Sequence, residues 1–331
     1  MNSSAKPFIA ADVGGTHVRI GLVRRSDDPS HPISVLQYRK YVCAAWPGLA
    51  DIVEDFLARL GAVGVEEGAI ASAGYALEDG SVITVNLPWG ISLNEIRERL
   101  GFREFHLVND FEAVAHAAAY VDASEVLQLA GPETAPPGPT LVVGPGTGLG
   151  AAVWIPTAKG PVVLATEAGQ AALTTGNDLE AALLRELLRE RDHVPNEHAL
   201  SGPGLMNLHA ALAKLRGGGR AYATPGEITA AALEGSDPLA RESLEVFCGL
   251  LGSTVGDMAL LYGVHGGIYL AGGILPQIRE FLLQSSFVPR FLNKGPMREA
   301  LERIPVKLVE HGQLGVIGAA TWYLGTRADG R

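Results

Sequence analysis

Phe8-Ile-Ala-Ala-Asp12-Val-Gly-Gly-Thr16-His-Val-Arg-Ile-Gly-Leu-Val23 is the stretch from which the rest of the chain is read. Phe8 to Ala11 is an apolar run of strand length, and Val18 to Val23 is again β-like, so Gly14-Gly15-Thr16 joins two strands as a hairpin. Glycine has no Cβ and tolerates φ > 0, so such a turn lets backbone N–H groups approach an anion closely, which is a phosphate-cradle reading. Asp12 would stand beside those phosphates, where a carboxylate is tolerable mainly if it holds a Mg2+ ion or its waters. A P-loop is excluded, because that motif needs Gly-Lys-Ser/Thr opening a helix. Read alone, the stretch fits an ordinary Gly-Gly hairpin turn equally well.

Outward from this hairpin, Ser34 to Lys40 alternates as a third strand. Gly48 to Leu60 spaces Leu49, Ile52, Val53, Phe56, Leu57 and Leu60 as a helix that Gly61 ends. A strand around Ala69 to Ala73 and a turn at Glu78-Asp-Gly80 follow, and the capping-box pattern Ser92-Leu-Asn-Glu95 opens a short helix ending at Gly101. Phe105 to Val108 is a strand with Asn109 and Asp110 at its carboxyl end, where open α/β sheets bind ligands, and Phe111 to Tyr120 is a helix. Gly131 to Pro139, rich in Pro and Gly, is a candidate domain junction.

Beyond it the pattern restarts, with strand Thr140 to Val143, glycine loop Gly144-Pro-Gly-Thr-Gly-Leu-Gly150 and strand Ala151 to Ile155. Strand, glycine turn and strand thus occur twice, which suggests an internal duplication and two phosphate-binding hairpins across one cleft. Helices are expected at Asp178 to Arg191, at Gly204 to Leu215, after Thr224-Pro-Gly-Glu, and from an Asp237 N-cap to about Tyr262. The last carries more than one apolar stripe and should be largely buried. Ile268 to Ala271 enters Gly272-Gly273-Ile-Leu-Pro276, a glycine turn and a Pro-led helix. Glycines there would let a flat ring such as adenine lie against the backbone, and a plain tight turn explains them as well. A strand Pro305 to Val309 and an apolar helix Leu314 to Tyr323 complete the pattern, the helix being expected to pack back on the first domain.

With 331 residues, 47% of them hydrophobic and 19% charged, the chain has the composition of an ordinary globular protein with room for two domains. Its net charge of −10 argues against nucleic acid and anionic membranes as partners, so an anionic nucleotide would need help from loop amides, helix N-termini and Mg2+. Cys43 and Cys248 are far apart in apolar surroundings, as buried thiols of a reducing cytoplasm would be, and cysteine alone can build no metal cluster. Met1 to Pro7 lacks a basic region leading into an apolar one, so no secretory signal is expected. No apolar run reaches membrane-spanning length without Gly or charge. Gly146-Thr-Gly-Leu-Gly-Ala151 fits G-x-G-x-x-A, and Glu167 falls near the place of a ribose-binding acid. The residues after the glycines are β-like and broken by Pro156, whereas a dinucleotide site needs a helix N-terminus there.

Together these stretches resemble the bacterial ATP-dependent glucokinases of the hexokinase/actin-like ATPase superfamily, outside the zinc-containing ROK group. The carriers are Asp12-Val-Gly-Gly-Thr16 with Arg19, Val108-Asn-Asp-Phe111, the Gly144 to Gly150 loop, Glu167-x-Gly169, Leu200-Ser-Gly-Pro-Gly-Leu205, Ala271-Gly-Gly-Ile274 and Leu314-Gly315, spread over nearly the whole chain. The resemblance implies a two-domain α/β, actin-like ATPase (ribonuclease H-like) fold with mixed sheets flanked by helices. A smaller domain would span 1–120 and be completed by the helix at about 313–325; a larger one, with helical insertions, would span 121–312. The implied activity is phosphorylation of glucose or a related hexose to the 6-phosphate, with ATP and Mg2+, by a cytoplasmic homodimer whose domains close on the sugar and exclude water.

In that resemblance Asp110 is the general base for the sugar 6-hydroxyl, and Asn109, Glu167, Glu197 and residue 170 bind sugar hydroxyls. Asp12, Gly14, Gly15 and Thr16 serve one side of the phosphates, with Mg2+ on Asp12 through water. Gly146, Thr147 and Gly148 serve the other side, and Gly272 and Gly273 the adenosine. Several positions depart from the family. Gln170 replaces a sugar-binding histidine, His17 an asparagine, Pro145 stiffens the second glycine loop, and Gly74-Tyr75 and Leu87-Pro-Trp89 differ from the usual turns. Most lie on the sugar side, which suggests retained nucleotide handling with altered sugar recognition. The alternative is a glucokinase-like protein with altered specificity or little catalysis that acts as a regulator; retained Asp110 argues against it and Gln170 for it.

Overall fold

The computed structural model describes residues 6–61, 64–84, 87–118, 120–121 and 123–328. Most of the stretch examined for a secretory signal, residues 1–5, lies outside them, as does residue 119 in the expected helix to Tyr120. The chain divides into two units, 1–122 with 311–331, and 123–310.

Both faces of Phe8–Val13 (β1) are apolar, as suits a strand covered on two sides. It pairs antiparallel with His17–Arg25 (β2), setting Val13 opposite Val18 and Asp12 opposite Arg19. Ile33–Val42 (β3) lies outside β2, and Leu49–Leu60 (α1) ends at Gly61 with φ 74°. Glu67–Ser72 (β4) runs parallel to β1. Gly74–Ala76 (β5), Ser81–Thr84 (β6) and Ile91–Ser92 (β7) form a small separate sheet. Ser92 accepts from Glu95 N–H to start Leu93–Leu100 (α2), as the capping-box pattern predicts. Glu104–Asn109 (β8) is parallel to β4 and passes directly into Asp110–Ala118 (α3).

In the second unit Val126–Ala130 (β9) precedes the hairpin of Thr140–Pro145 (β10) and Leu149–Ile155 (β11), which Val162–Thr166 (β12) flanks. Asp178–Leu187 (α4), Gly202–Arg216 (α5), Pro225–Glu234 (α6) and Pro238–Leu261 (α7) are the helical insertions. Gly267–Leu270 (β13), Arg279–Gln284 (α8), Phe287–Phe291 (α9), Arg298–Leu301 (α10) and Val306–Val309 (β14) complete the unit. Among the described residues the strand orders are β3-β2-β1-β4-β8 and β12-β11-β10-β13-β14-β9. From the hairpin outward the two are the same topology, with β9 added as an antiparallel edge, which is the signature of the duplication the glycine turns suggest.

Some local expectations change. Gly131 to Pro139 is no junction between units: it links β9 to β10 within one sheet, and its glycines serve close packing, since a Cβ on Gly131 would overlap Ile304 and one on Gly138 would overlap His265. Helix α5 starts two residues before Gly204, because Ser201 Oγ accepts from Gly204 N–H and Pro203 suits a first turn. Helix α4 ends at Leu187, short of Arg191, and a 3-10 turn, Leu275–Ile278, precedes α8 where a Pro-led helix was expected. Helix α7 has the length and apolarity of a membrane span, yet 78% of that window is buried; Phe247, Leu251 and Val255 are fully enclosed in the unit's own core.

Leu314–Ala328 (α11) belongs to the first unit. Val316, Ala319, Ala320 and Tyr323 share a core with Phe8, Ala10, Ala69, Ala71, Val108 and Ala113. The helix crosses α3 so closely that a Cβ on Gly318 would overlap the carbonyl of Ala113.

Candidate active site

In the first unit β1, β4 and β8 are parallel neighbours, and their register aligns Val13, Ser72 and Asn109 at the carboxyl ends. The Gly14 turn and Asp110 therefore leave the same edge of one sheet, the edge at which such sheets bind ligands. Asp12 Oδ2 accepts from Arg19 Nη1 at 3.0 Å, a cross-strand pair that follows from the hairpin register. Burial raises the Asp12 pKa above its ordinary value, and Arg19 opposes that rise. The same side chain explains Leu314-Gly315, because a Cβ on Gly315 would stand 2.7 Å from Asp12 Cβ and Cγ. Gly14 is not in the left-handed region, and a Cβ there would meet only His17 O at 3.6 Å, so what this glycine supplies is open backbone and not the φ > 0 inferred from sequence. Its N–H donates to His17 O at 3.0 Å. The His17 imidazole is held below its usual pKa by burial and by Lys40 and Arg19.

At the end of β8 two capping residues stand in sequence, and the structure separates their roles. Asn109 Oδ1 accepts from Phe111 N–H at 3.0 Å and from Glu112 N–H at 3.1 Å, so Asn109 caps α3. Asp110 lies in the first helical turn, where the helix dipole favours a carboxylate; its Oδ1 accepts from the Phe111 N–H that Asn109 already shares. Farther along α3, burial raises the pKa of Glu112, which accepts from Trp322 Nε1 at 3.1 Å, and pushes His116 down to about 4.

In the second unit the β10–β11 turn is tied to a helix start. Gly146 N–H donates to Gly148 O at 2.8 Å, and Gly146 O accepts from Gly202 N–H, at the beginning of α5, also at 2.8 Å. Strand β11, not a helix, follows these glycines, so the dinucleotide reading fails in three dimensions as well. Gly148 lies against the Glu197 carboxylate, whose Oε2 accepts from Leu149 N–H at 2.9 Å and whose Oε1 accepts from Gln170 Nε2 at 3.3 Å. Asn196 Nδ2 donates to Ala168 O at 3.2 Å and holds the turns carrying Gln170 and Glu197 together. Glu167 is exposed and immediately precedes the 3-10 turn Ala168–Gln170. Thr147 is exposed at the tip of the loop.

Gly272, with φ 95°, packs so near the end of β10 that a Cβ would stand 2.5 Å from Pro145 O. This sets Gly272 and Gly273 beside the Gly146 loop, at the carboxyl ends of the parallel strands β10 and β13. Gly146 and Gly273 have nothing within 4 Å of a Cβ position. Gln170, Glu197 and Gly148 are thus brought into contact, and Gly272 and Gly273 adjoin the loop. Among the described residues no group of three or more His, Cys, Asp or Glu could hold a metal ion. A single carboxylate, Asp12, beside the Gly14 turn is the kind of donor that Mg2+ would use when its other ligands are phosphates and water.

Sequence reading missed Cys43, Trp89, Asn196 and the reason for Gly315. Cys43 N–H donates to Thr16 O at 2.9 Å, its Sγ–H to Gly14 O at 3.2 Å, and its carbonyl accepts from Trp89 Nε1 at 3.2 Å. No local pattern signals these contacts, which depend on the β2–β3 register and a distant loop.

A family model described as Glucokinase matches residues 9–326. A Glucokinase-like protein of Xylella fastidiosa (strain 9a5c) is 54% identical over 321 residues, covering 97% of this chain and 96% of that protein. The crystal structure of a glucokinase from an Antarctic psychrotroph superposes with a TM-score of 0.84 at 33% identity, covering 97% of this chain and 99% of that one. A ROK family glucokinase from Streptomyces griseus, solved with glucose and AMPPNP, shares the fold with a TM-score of 0.62 at 22% identity, over 96% of this chain and 98% of that one.

Proposed function

The chain belongs to the glucokinase family and is an ATP-dependent glucokinase, and from that premise we propose how its residues divide the reaction. Asp110 is the general base: it takes the proton of the sugar 6-hydroxyl as the oxygen attacks the γ-phosphorus in line, and ADP leaves. The observation that carries this assignment is the separation of roles at the end of β8. Asn109 Oδ1 spans Phe111 and Glu112 N–H as the cap, Asp110 shares the Phe111 N–H from the first helical turn, and Asp110 stands on the sheet edge that also carries the Asp12 turn.

Asn109 takes sugar hydroxyls through its Nδ2, with Glu167, Gln170 and Glu197. Glu197 is oriented for this by Leu149 N–H and Gln170 Nε2, so Gln170 keeps a hydrogen-bonding side chain where the family has an imidazole and also fixes a neighbouring acceptor. Gly14, Gly15 and Thr16, and in the second unit Gly146, Thr147 and Gly148, receive phosphate oxygens, while Gly272 and Gly273 receive the adenosine. Asp12 would hold Mg2+ through water, and the ion, when bound, neutralises phosphate charge. The buried free thiols Cys43 and Cys248 suit a reducing cytoplasm, and a homodimer completes the reading.

The test is ADP release by the purified protein with Mg-ATP across glucose, mannose, fructose and N-acetylglucosamine at equal concentration, with oligomeric state read by sedimentation. Glucose-dependent release supports the assignment of roles. A folded protein that binds nucleotide but turns over no sugar would overturn it in favour of a sugar-responsive regulator.

A further inference from the structure

The two carbonyls that flank the exposed part of the Gly14–Thr16 turn both point at one residue. Gly14 O accepts from Cys43 Sγ–H at 3.2 Å and Thr16 O accepts from Cys43 N–H at 2.9 Å. In a trans peptide the C=O and the N–H that follows it point in opposite directions across one plane. Holding Gly14 O toward Cys43 therefore turns Gly15 N–H away from it, and holding Thr16 O does the same for His17 N–H. Cys43 is itself fixed: it is 1% exposed, and its carbonyl accepts from Trp89 Nε1 at 3.2 Å and from Trp46 N–H at 3.1 Å. Trp46 is in turn packed edge-on against Tyr41, whose hydroxyl donates to Asp55 at 2.8 Å.

We propose that Cys43, anchored by Trp89, is the positioning residue of the phosphate turn, setting the direction of the Gly15 and His17 N–H groups that meet the nucleotide. The inference rests on the assignment of this turn to ATP phosphates made above. It ties Trp89, distant in sequence, to the Gly14–Thr16 turn of the same unit. Cys43 touches no substrate in this account; it acts through the backbone of the turn.

The experiment compares wild type, Cys43→Ala, Cys43→Ser and Trp89→Phe by calorimetric titration with Mg-ATP, by KM and kcat for both substrates, and by Tm. Cys43→Ala removes the thiol donor and should weaken ATP binding about three- to tenfold, the effect of one lost hydrogen bond, with KM for glucose within twofold of wild type. Cys43→Ser restores a donor of similar reach and should recover most of that loss. Trp89→Phe deletes the indole N–H and should weaken ATP in the same sense. A lower Tm with unchanged ATP affinity in Cys43→Ala would make the residue mere packing and overturn the proposal. Should Cys43→Ala not fold, Trp89→Phe decides, and unchanged ATP affinity there overturns it. Wild-type protein that neither binds ATP nor turns over defeats the assignment of the turn itself, whereas wild-type binding with unaffected variants defeats only this inference.

Discussion

Replacing Gly146 or Gly273 by alanine should stabilise the protein and impair it at once. A Cβ at either position has nothing within 4 Å, and neither residue lies in the left-handed region. At such positions Gly→Ala restricts the unfolded chain and gains about 0.4–1 kcal/mol. For a domain of roughly 150–250 residues that raises Tm by about 1–4 °C. The open space is where phosphate and adenosine are assigned, so the same methyl group enters volume the ligand needs. Overpacking costs about 1–3 kcal/mol, which multiplies KM for ATP by about 5 to 150 while leaving KM for glucose within twofold. Gly272→Ala is the internal contrast. Its φ of 95° and a Cβ 2.5 Å from Pro145 O make the substitution strained in the fold itself, with a loss of about 1–2 kcal/mol from the backbone alone. Melting curves and initial rates against ATP at saturating glucose separate the two classes. Alanine at 146 and 273 with higher Tm and unchanged KM for ATP would show that no nucleotide lies on those glycines.

Asp110→Ala should lower kcat by about 10²–10⁴, far more than the loss of its first-turn bond to Phe111 N–H, about 1 kcal/mol of stability, can explain, whereas Asn109→Ala should lose about 1 kcal/mol of stability through the cap; a residual kcat above a tenth of wild type defeats the base assignment. Arg19→Gln removes the cation that opposes the burial-raised pKa of Asp12, so that pKa rises further. Asp12 then protonates at higher pH, and the acid limb of kcat/KM for ATP should move to higher pH; an unmoved limb takes Asp12 out of nucleotide binding. Gln170→Ala frees Glu197 Oε1 and should raise KM for glucose about three- to tenfold with KM for ATP constant, and an effect confined to ATP would place Gln170 on the wrong substrate.

Much of the architecture is legible because each local signal agrees with its neighbours. The hairpins around Gly14 and Gly146, the caps at Ser92 and Asp237 and the glycine stop at Gly61 are all read from residues a few positions apart. Where the reading failed, the deciding contact is distant. Asp12 requires Gly315, and Gly131 is pressed on Ile304; neither partner can be found from composition or periodicity. Asn109 and Asp110 are both good caps by residue type, and only the structure shows that Asn109 Oδ1 reaches Phe111 and Glu112 N–H. At Gly14 the structure keeps one of the two reasons read from sequence, the missing Cβ, and not the left-handed turn.

Helix α11 gives the molecule a schedule. The strands of the first unit are synthesised before anything in residues 123–310, yet the cover for Phe8, Ala10, Ala69, Ala71 and Val108 is translated only after all of them. On the ribosome the second unit, continuous along the chain, can complete its core while the first still waits with one apolar face of its sheet uncovered. Order of synthesis and order of maturation are therefore reversed. A nascent chain halted before Leu314 would carry a finished second half and an open first half that chaperones must shield.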